Sequence, residues 1–579
     1  MLAKLNKLKN WQVALFIVIL GFAVFSVGLN SPFRDDDLSQ IVNAVPVHSI
    51  SSIKLFFEGG TFYNGQGMAP LTGVFYRPLQ TTIYSLIYAI AGAYSLTFHL
   101  LQLILYISSA YILYLVFRYS FNKILALFLA AVFLVQPINS QVVFAIPQLT
   151  DVLFFFFGIL AIWLLLRFKL TKSLWLVALC LFLSLLAKET AVIFIIIALL
   201  YLFWFNRDRL YKFIGIMVLP VTAYLMLRIN AVGLVSKSLN APIDKLDWGG
   251  RLLTAPSIMQ FYLTKFIFPW KLATSYFWTN QTFSLRHVLL PLMIDLAVIA
   301  LAIYLALVIR KKVSKELYYT YLFFAVWAFI GLIPYLQIIP IDMTACETWF
   351  YLSMAGFLGM IGVILVTFQS HISPKWFLII AVLLIGMLGV RSTIRGNDWR
   401  NPISLAYKDI AASPDNFIAY KNIALDNFNQ GNYYEAKIYS LRSIDIFPNG
   451  AAYNTLGQAL SVLGNYPGAV QAFTTGMRYQ NLNALYENRA ALTAGYGSPA
   501  TNTQFLLTAV KMFPQDSKIW FYLAIQEYRD SDPNHAKAAI SQAYKYWQPN
   551  DTISFNTVSA IYSRIMSNAP LDVTFNPNP

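Results

Sequence analysis

The sequence predicts an all-α protein in two parts. Residues 1–391 read as a polytopic bundle of about 11 membrane-spanning helices, and residues 392–579 as an α-solenoid of short helical repeats. Three observations predict this. The chain is 58% hydrophobic with only 12% charged residues and a mean hydropathy of +0.58, whereas soluble chains carry roughly a quarter charged residues. Apolar runs of spanning length recur as far as Arg391. After it the chain turns polar, and "GNYYEA" at 431–436 returns as "GNYPGA" at 464–469, a period of 33.

The first element, "WQVALFIVILGFAVFSVGLN" at 11–30, follows a start rich in lysine. That order of charge and apolarity belongs to signal peptides too. Its apolar length suffices to cross a bilayer, and aspartates follow it, so it reads as an uncleaved first helix. Further runs fall near 97–117, 123–137, 151–168, 173–187, 190–206, 211–229, 288–309, 317–337, 347–369 and 374–391. The stretch "RPLQTTIYSLIYAIAGAY" at 77–94 is ambiguous, and counting it as a span would invert every later loop. Charge decides. With 77–94 skipped, one set of loops holds Lys4, Lys7 and Lys9, then Arg118 and Lys123, Arg167, Lys169 and Lys172, Arg207, Arg209 and Lys212, Arg310, Lys311, Lys312 and Lys315, and Lys375. Only Asp208 and Glu316 oppose them. Loops so basic face the cytoplasm. The net charge of +16 is therefore explained by membrane topology and does not call for nucleic acid. The stretch 77–94 becomes an interfacial or re-entrant helix. The N-terminus is expected inside, and the repeats outside, at a plasma (inner) membrane or endoplasmic reticulum.

On the opposite face the loops collect Asp35, Asp36 and Asp37, Arg77, Asp151, the "AKET" at 187–190, Arg228, Arg251, Asp342 and Glu347. The aspartates thus belong to a carboxylate cluster on the extracytoplasmic face, and a solvated acidic loop is the other reading of the triplet. The two cysteines, Cys180 and Cys346, permit no disulfide framework and no cysteine-based metal site.

In the polar half, Tyr420 and Tyr453, Ala424 and Gly457, and Ala436 and Ala469 share the period of 33, and Pro448 closes the first unit. These are tetratricopeptide-like helix pairs. A poorer unit follows at 520–549, with "AGYGSPATNT" at 494–503 expected as a loop between. Such repeats build binding surfaces.

Seven stretches occur in one order: "DDDLSQIVN" (35–43), "YRPL" (76–79), "QPINSQVVFAIPQLTDVL" (136–153), "AKET" (187–190), "RLLTAPSIMQFYLTKFIFPWKL" (251–272), "CETWFYLSMAGF" (346–357) and "NDWRNPISLAYKDIAASPDNFIAYKNIA" (397–424). Together with the repeats they resemble the transmembrane-and-tetratricopeptide-repeat O-mannosyltransferases and their bacterial relatives, of the GT-C superfamily. The resemblance implies a sugar, usually mannose, carried on polyprenyl phosphate and transferred outside the cytoplasm. Such transfer to a hydroxyl needs a carboxylate to accept the proton and cations to steady the departing phosphate.

By that resemblance Asp36 is the candidate base. Aligned on Ile41 the family's aspartate pair is Asp36–Asp37, and aligned on Asn43 it is Asp35–Asp36. Arg77 matches a basic residue near the donor phosphate, with Lys188, Arg228 and Arg251 as further phosphate-binding candidates. Asp151 matches a second acidic motif, but Gln136, Gln141 and Leu149 stand where the family has His, Glu and Arg. Glu347 matches the acid of a Glu-Arg-x-Leu-Tyr-Leu pattern in which Thr348 replaces the Arg. The bland readings stand beside these: a solvated acidic loop, an arginine reaching lipid headgroups, a structural Lys–Glu pair.

No cofactor is expected. The histidines His48, His99, His287, His371 and His535 show no ligand spacing, although an Asp-rich loop suits a divalent cation. No phosphate-binding glycine loop appears, which disfavours a nucleotide-sugar donor. The expected partners are the lipid-linked sugar, a protein or glycan acceptor met through the repeats, and membrane lipid, with no nucleic acid. Two other readings stay open: a transferase acting on a glycolipid or cell-wall polymer, and an inactive scaffold recruiting partners through its repeats.

Overall fold

In a computed structural model the described residues are 9–63, 71–233, 241–371, 373–496, 499–548 and 553–571; Lys4 and Lys7 of the first basic segment lie outside them. The regular elements of the described residues are all helices, with isolated bridges and no strands. The chain divides into two units within the helix Pro402–Ala412, one ending at Lys408 and the other starting at Asp409.

Every predicted apolar run is a helix, but the runs differ in length. Among the described residues eight helices are long and apolar enough to cross a membrane: Asn10–Gly28, Ser95–Phe117, Ile146–Arg167, Arg207–Val232, Leu285–Lys312, Lys315–Tyr335, Glu347–Thr367 and Pro374–Trp399. Lys123–Val135 and Pro137–Phe144 form a pair bent by 49°, giving up to nine. The bend falls where Pro137 removes a helical donor. Ser173–Ala187 and Glu189–Phe205 are shorter. The figure of about 11 spans thus rests on segments of which not all reach full length. The chain is a multi-pass membrane protein.

The stretch 77–94 holds the helix Pro78–Ala91, 14 residues long. At 1.5 Å per residue that is about 21 Å, short of a hydrocarbon core of roughly 30 Å. Its Gln80 and Tyr84 are buried and donate to the Pro147 and Ile146 carbonyls, each at 2.8 Å. The helix therefore lies against the start of the Asp151 helix. Elsewhere the bundle closes by small residues. At Gly356 a Cβ would collide with the Ala328 backbone, which brings Glu347–Thr367 onto Lys315–Tyr335, and Trp327 donates across that contact to the Leu352 carbonyl at 3.1 Å.

In the second unit the helices pair as Phe417–Asn429 with Tyr433–Ile446, Gly450–Val462 with Tyr466–Tyr479, Asn483–Tyr496 with Pro499–Met512, and Ser517–Arg529 with Pro533–Tyr546, followed by Phe555–Met566. The "GNY" signature is turn chemistry. Gly431 and Gly464 sit at φ 81° and 80°, the left-handed region that glycine enters freely, and Asn465 then caps the next helix by accepting from the Gly468 amide at 3.1 Å. Ala424, Ala436 and Ala469 are fully buried, as the shared period requires. The predicted loop at 494–503 is wrong: it is the end of one helix and the start of another, with 497–498 outside the described residues. Tyr486 and Ala490 continue the period from Tyr453 and Gly457, so a whole repeat lies where a loop was expected. It carries no Gly-Asn turn, and that absence hid it.

Candidate active site

The first helix hands over to a tight turn. Asp35 takes φ 44°, and the Asp37 amide returns to the Arg34 carbonyl at 2.8 Å. Asp37 turns inward, is 2% exposed, and its Oδ2 accepts from the Arg34 amide at 3.0 Å. Burial pushes its carboxyl up to about 8, against the pull of Arg34, and the neighbouring Asp35 and Asp36 act in the same direction as burial. Asp35 and Asp36 face outward and are exposed. Arg34 fixes the turn to the last membrane helix: it donates to the Trp399 carbonyl and its guanidinium lies 4.7 Å over the Trp399 ring.

Arg77 is the residue before Pro78, whose fixed φ starts the short helix. Its guanidinium stacks 4.5 Å over Phe75, and its Nε is buried without a hydrogen bond. Tyr84, one turn and a half into that helix, lies in the electrostatic field of Asp37, Arg77 and Asp36 together. The aspartate turn and Arg77 thus share one neighbourhood.

Around Arg77 the structure gathers groups from four other segments. Glu189 has Arg77, Arg228 and Lys188 as its cationic neighbours. Asp342 has Arg77 and Lys188 as cations and Glu189 as a like charge. The Tyr224 ring, one turn before Arg228, lies 6.1 Å from Tyr76. Lys188 ends the helix Ser173–Ala187 and donates to Asp151 Oδ1 at 2.7 Å, with the two side chains 7% and 1% exposed. Tyr335 sits beside this pair, its ring 6.0 Å from the Lys188 ammonium. Sequence reasoning put Glu189 and Asp342 on this face through the parity of the loops but gave neither a place in the site, and it passed over Tyr335.

Glu347 belongs to a different neighbourhood. It is 1% exposed, and its Oε1 accepts from the Ala273 amide and the Tyr276 hydroxyl, both at 2.8 Å. Its cationic neighbours are Arg395 and Lys265. Near Glu347 lie Gln141 and Thr348, two of the neutral residues that stand where the resembled family has charges. Gln141 donates to the Thr274 carbonyl at 3.0 Å and accepts from Cys346 Sγ at 3.5 Å, and Thr348 lies 3.4 Å from the same sulfur. Gln136 donates to the Phe266 carbonyl at 2.8 Å. Neutral amides thus tie loops here. Arg251 lies over Trp248 at 5.6 Å, with no contact to the Arg77 group among the described residues. No group of three His, Cys, Asp or Glu side chains suited to a metal ion occurs among the described residues.

With this geometry in hand, residues 77–230 match the family model of dolichyl-phosphate-mannose-protein mannosyltransferases. The matched stretch starts at Arg77 and includes Asp151, Lys188, Glu189 and Arg228. The resemblance drawn from the motifs holds there, and the match supports a membrane mannosyltransferase. No curated protein matches. Among solved structures, yeast Tom70 covers 76% of this chain and 92% of its own at 12% identity and a TM-score of 0.26. The tetratricopeptide-repeat domain of P58(IPK) covers 70% and 96% at 9% identity and a TM-score of 0.19.

Proposed function

We propose that this protein transfers a sugar, mannose by the likeness of the matched family, from a polyprenyl-phosphate donor to an acceptor hydroxyl. One observation carries the reading: the exposed Asp36 turn and the cations Arg77, Lys188 and Arg228 converge at one end of the bundle on residues from separate helices. Asp36 takes the proton as the hydroxyl oxygen bonds to the anomeric carbon. The bond from that carbon to the phosphate oxygen breaks, and the electron pair leaves with the phosphate. Arg77 and Arg228 meet the charge that grows there. Lys188, held by Asp151, supplies positive field from a fixed place. Asp37 keeps the turn rigid so that Asp36 projects from it. Glu347 supports the loop at Ala273–Tyr276 from below.

The acceptor is a protein or glycan presented by the repeats. On adjacent repeats Asn488 donates to Asn454 at 2.9 Å, an amide pair of the kind that reads peptide backbone or sugar hydroxyls. A second reading, a scaffold with an idle core, is favoured by Gln136 and Gln141, whose amides are spent on carbonyls. Release of polyprenyl phosphate from a radiolabelled polyprenyl-phosphate mannose by purified protein decides between them, and the molecule that gains label names the acceptor class. No turnover with any acceptor preparation would leave the scaffold. The orientation read from the basic loops has Ser314 inside and Asn432 outside. Single cysteines there, without Cys180 and Cys346, should be protected from and open to an impermeant thiol reagent; labelling of Ser314 from outside would invert the orientation.

A further inference from the structure

Away from the Arg77 group, four cations meet at the ends of two other helices. Lys265 closes the helix Trp248–Ile267, Lys271 follows it, and Arg391 and Arg395 lie on the last membrane helix, Pro374–Trp399. The Lys265 ammonium donates to the Lys271 carbonyl and has Lys271, Arg391 and Arg395 as like-charged neighbours. Arg391 Nη2 donates to the Trp270 carbonyl at 2.6 Å. Glu347, whose Oε1 already accepts two hydrogen bonds, and Asp398, 3.6 Å from Arg395, are carboxylate neighbours of the group. Lys265, Lys271 and Arg391 alone crowd three positive charges onto a part of the chain that is otherwise apolar. Such crowding at a membrane boundary is costly unless an anion joins it.

Beside the cluster opens a slot of about 140 Å³. Ile267, Phe268, Trp270, Met387 and Leu388 wall it, and Arg391 is its one charged wall. Arg391 Nη1 is buried and makes no hydrogen bond. Ile267, Phe268 and Trp270 are 63%, 62% and 53% exposed, and Leu383 and Val390 on the same helix as Arg391 are as open. Large apolar side chains so exposed on a membrane helix face lipid, and a tryptophan beside them marks headgroup level. A ligand that fits has an apolar chain for the slot and an anionic head with several acceptor oxygens for a guanidinium and ammonium groups.

We infer that Lys265, Lys271 and Arg391 with this slot form a binding site for an anionic phospholipid of the surrounding bilayer, separate from the site proposed for the donor phosphate. The headgroup phosphate takes the hydrogen bonds of Arg391 Nη1 and of the lysines, and the first part of one acyl chain fills the slot. A free anion gains nothing from the apolar walls, and the bilayer lipid is the amphiphile always present at this depth. The site also bears on the aspartate turn. Arg395 lies 6.0 Å from the Trp399 ring that Arg34 covers from its own side, and Arg34 caps Asp37. A bound headgroup that neutralises the cluster holds the anchor of that turn.

The test uses the full chain in detergent with added phosphatidylglycerol, read by thermal shift and by lipid retained in native mass spectrometry. Phosphatidylglycerol should raise the melting temperature more than phosphatidylcholine does. Arg391→Gln with Lys265→Gln should weaken retention by about tenfold or more, since a charge-assisted hydrogen bond is worth about a decade of affinity. Arg77→Gln should leave it unchanged. If the double variant does not fold, Met387→Trp fills the slot with all charges kept and should reduce retention as well. Retention unaltered by both variants overturns the site. An equal shift from inorganic phosphate overturns the role of the slot. Displacement of phosphatidylglycerol by an equimolar amount of polyprenyl phosphate overturns the phospholipid and makes this a carrier site. Donor turnover that fails while phosphatidylglycerol still binds would count against the proposed transferase and leave this site standing.

Discussion

The Asp35–Asp37 turn and the Asp151–Lys188 pair both read as acidic motifs in the sequence, but the fold puts them to opposite uses. In the turn one carboxylate is buried as a brace and two are left exposed. In the pair a single carboxylate, 1% exposed, is held by an ammonium 2.7 Å away. An exposed carboxylate can reach a substrate hydroxyl and exchange its proton. A buried and paired one holds its partner in position and is expensive to leave alone. Resemblance to a family motif does not separate these two cases; burial and partners do.

The largest effect is expected at Asp36. Asp36→Asn should reduce transfer by about 10²- to 10⁴-fold, the usual range for a lost general base, while thermal stability stays near that of the parent. Asp151→Asn should do the reverse, with more stability lost than chemistry. Turnover of Asp36→Asn within a few-fold of the parent would remove the turn from the reaction. Stable but inactive Asp151→Asn would move the catalytic role to the buried carboxylate.

The pair gives the next largest effect. Lys188→Met leaves Asp151 buried without its cation, a change that costs about 3–5 kcal/mol in comparable pairs. Lys188→Met with Asp151→Leu should recover much of that loss, because both charges go together. Melting temperatures of the two singles and the double close the cycle. Additive losses would mean that the ion pair does not hold these helices.

The turn and the pair were unequally legible before the structure. Asp36 was picked out because it belongs to the aspartate pair in either alignment, and it is exposed. What sequence could not say is that Asp37 turns inward, since three identical neighbours differ only through the φ of Asp35 and the amide of Arg34. The Asp151–Lys188 contact spans 37 positions, and nothing local encodes it. In the membrane half helix existence was legible, because lipid selects long apolar runs. Helix length was not, because the break after Val135 and the short helices depend on how neighbours cover their ends. The hidden repeat shows the same limit: helical period survived in Tyr486 and Ala490, but the turn that advertised the other repeats was absent.

Arg77 sharpens the comparison from the donor side. Among the described residues it makes no short ion pair with a carboxylate; it stacks on Phe75 with a buried Nε that makes no hydrogen bond. Arg77→Ala should weaken donor binding by about tenfold or more, and Arg77→Lys by less, because charge stays while the two-pronged geometry goes. Binding of the lipid-linked sugar, measured apart from transfer, tests this. Equal affinity of all three forms would leave Arg77 as a headgroup anchor.

The last effect belongs to Asp37, and pH reads it. Its carboxyl is raised from 3.8 to about 8 by burial, with Asp35 and Asp36 adding to the rise and Arg34 opposing it. The folded protein therefore binds this proton more tightly than the unfolded chain. The stability it contributes is complete below about 4, and is lost as pH rises through about 8. Between those values folding takes up a proton at this site. The melting temperature should fall from pH 6 to pH 9 by more in the parent than in Asp37→Asn, whose amide oxygen can still accept from the Arg34 amide but cannot ionise. Asp36→Asn, altering an exposed group, should keep most of the parent's fall. If Asp37→Asn followed the parent curve while Asp36→Asn flattened it, the brace and the exposed carboxylate would have to exchange places. The base would then be sought at Asp37, as the exposed carboxylate of the turn.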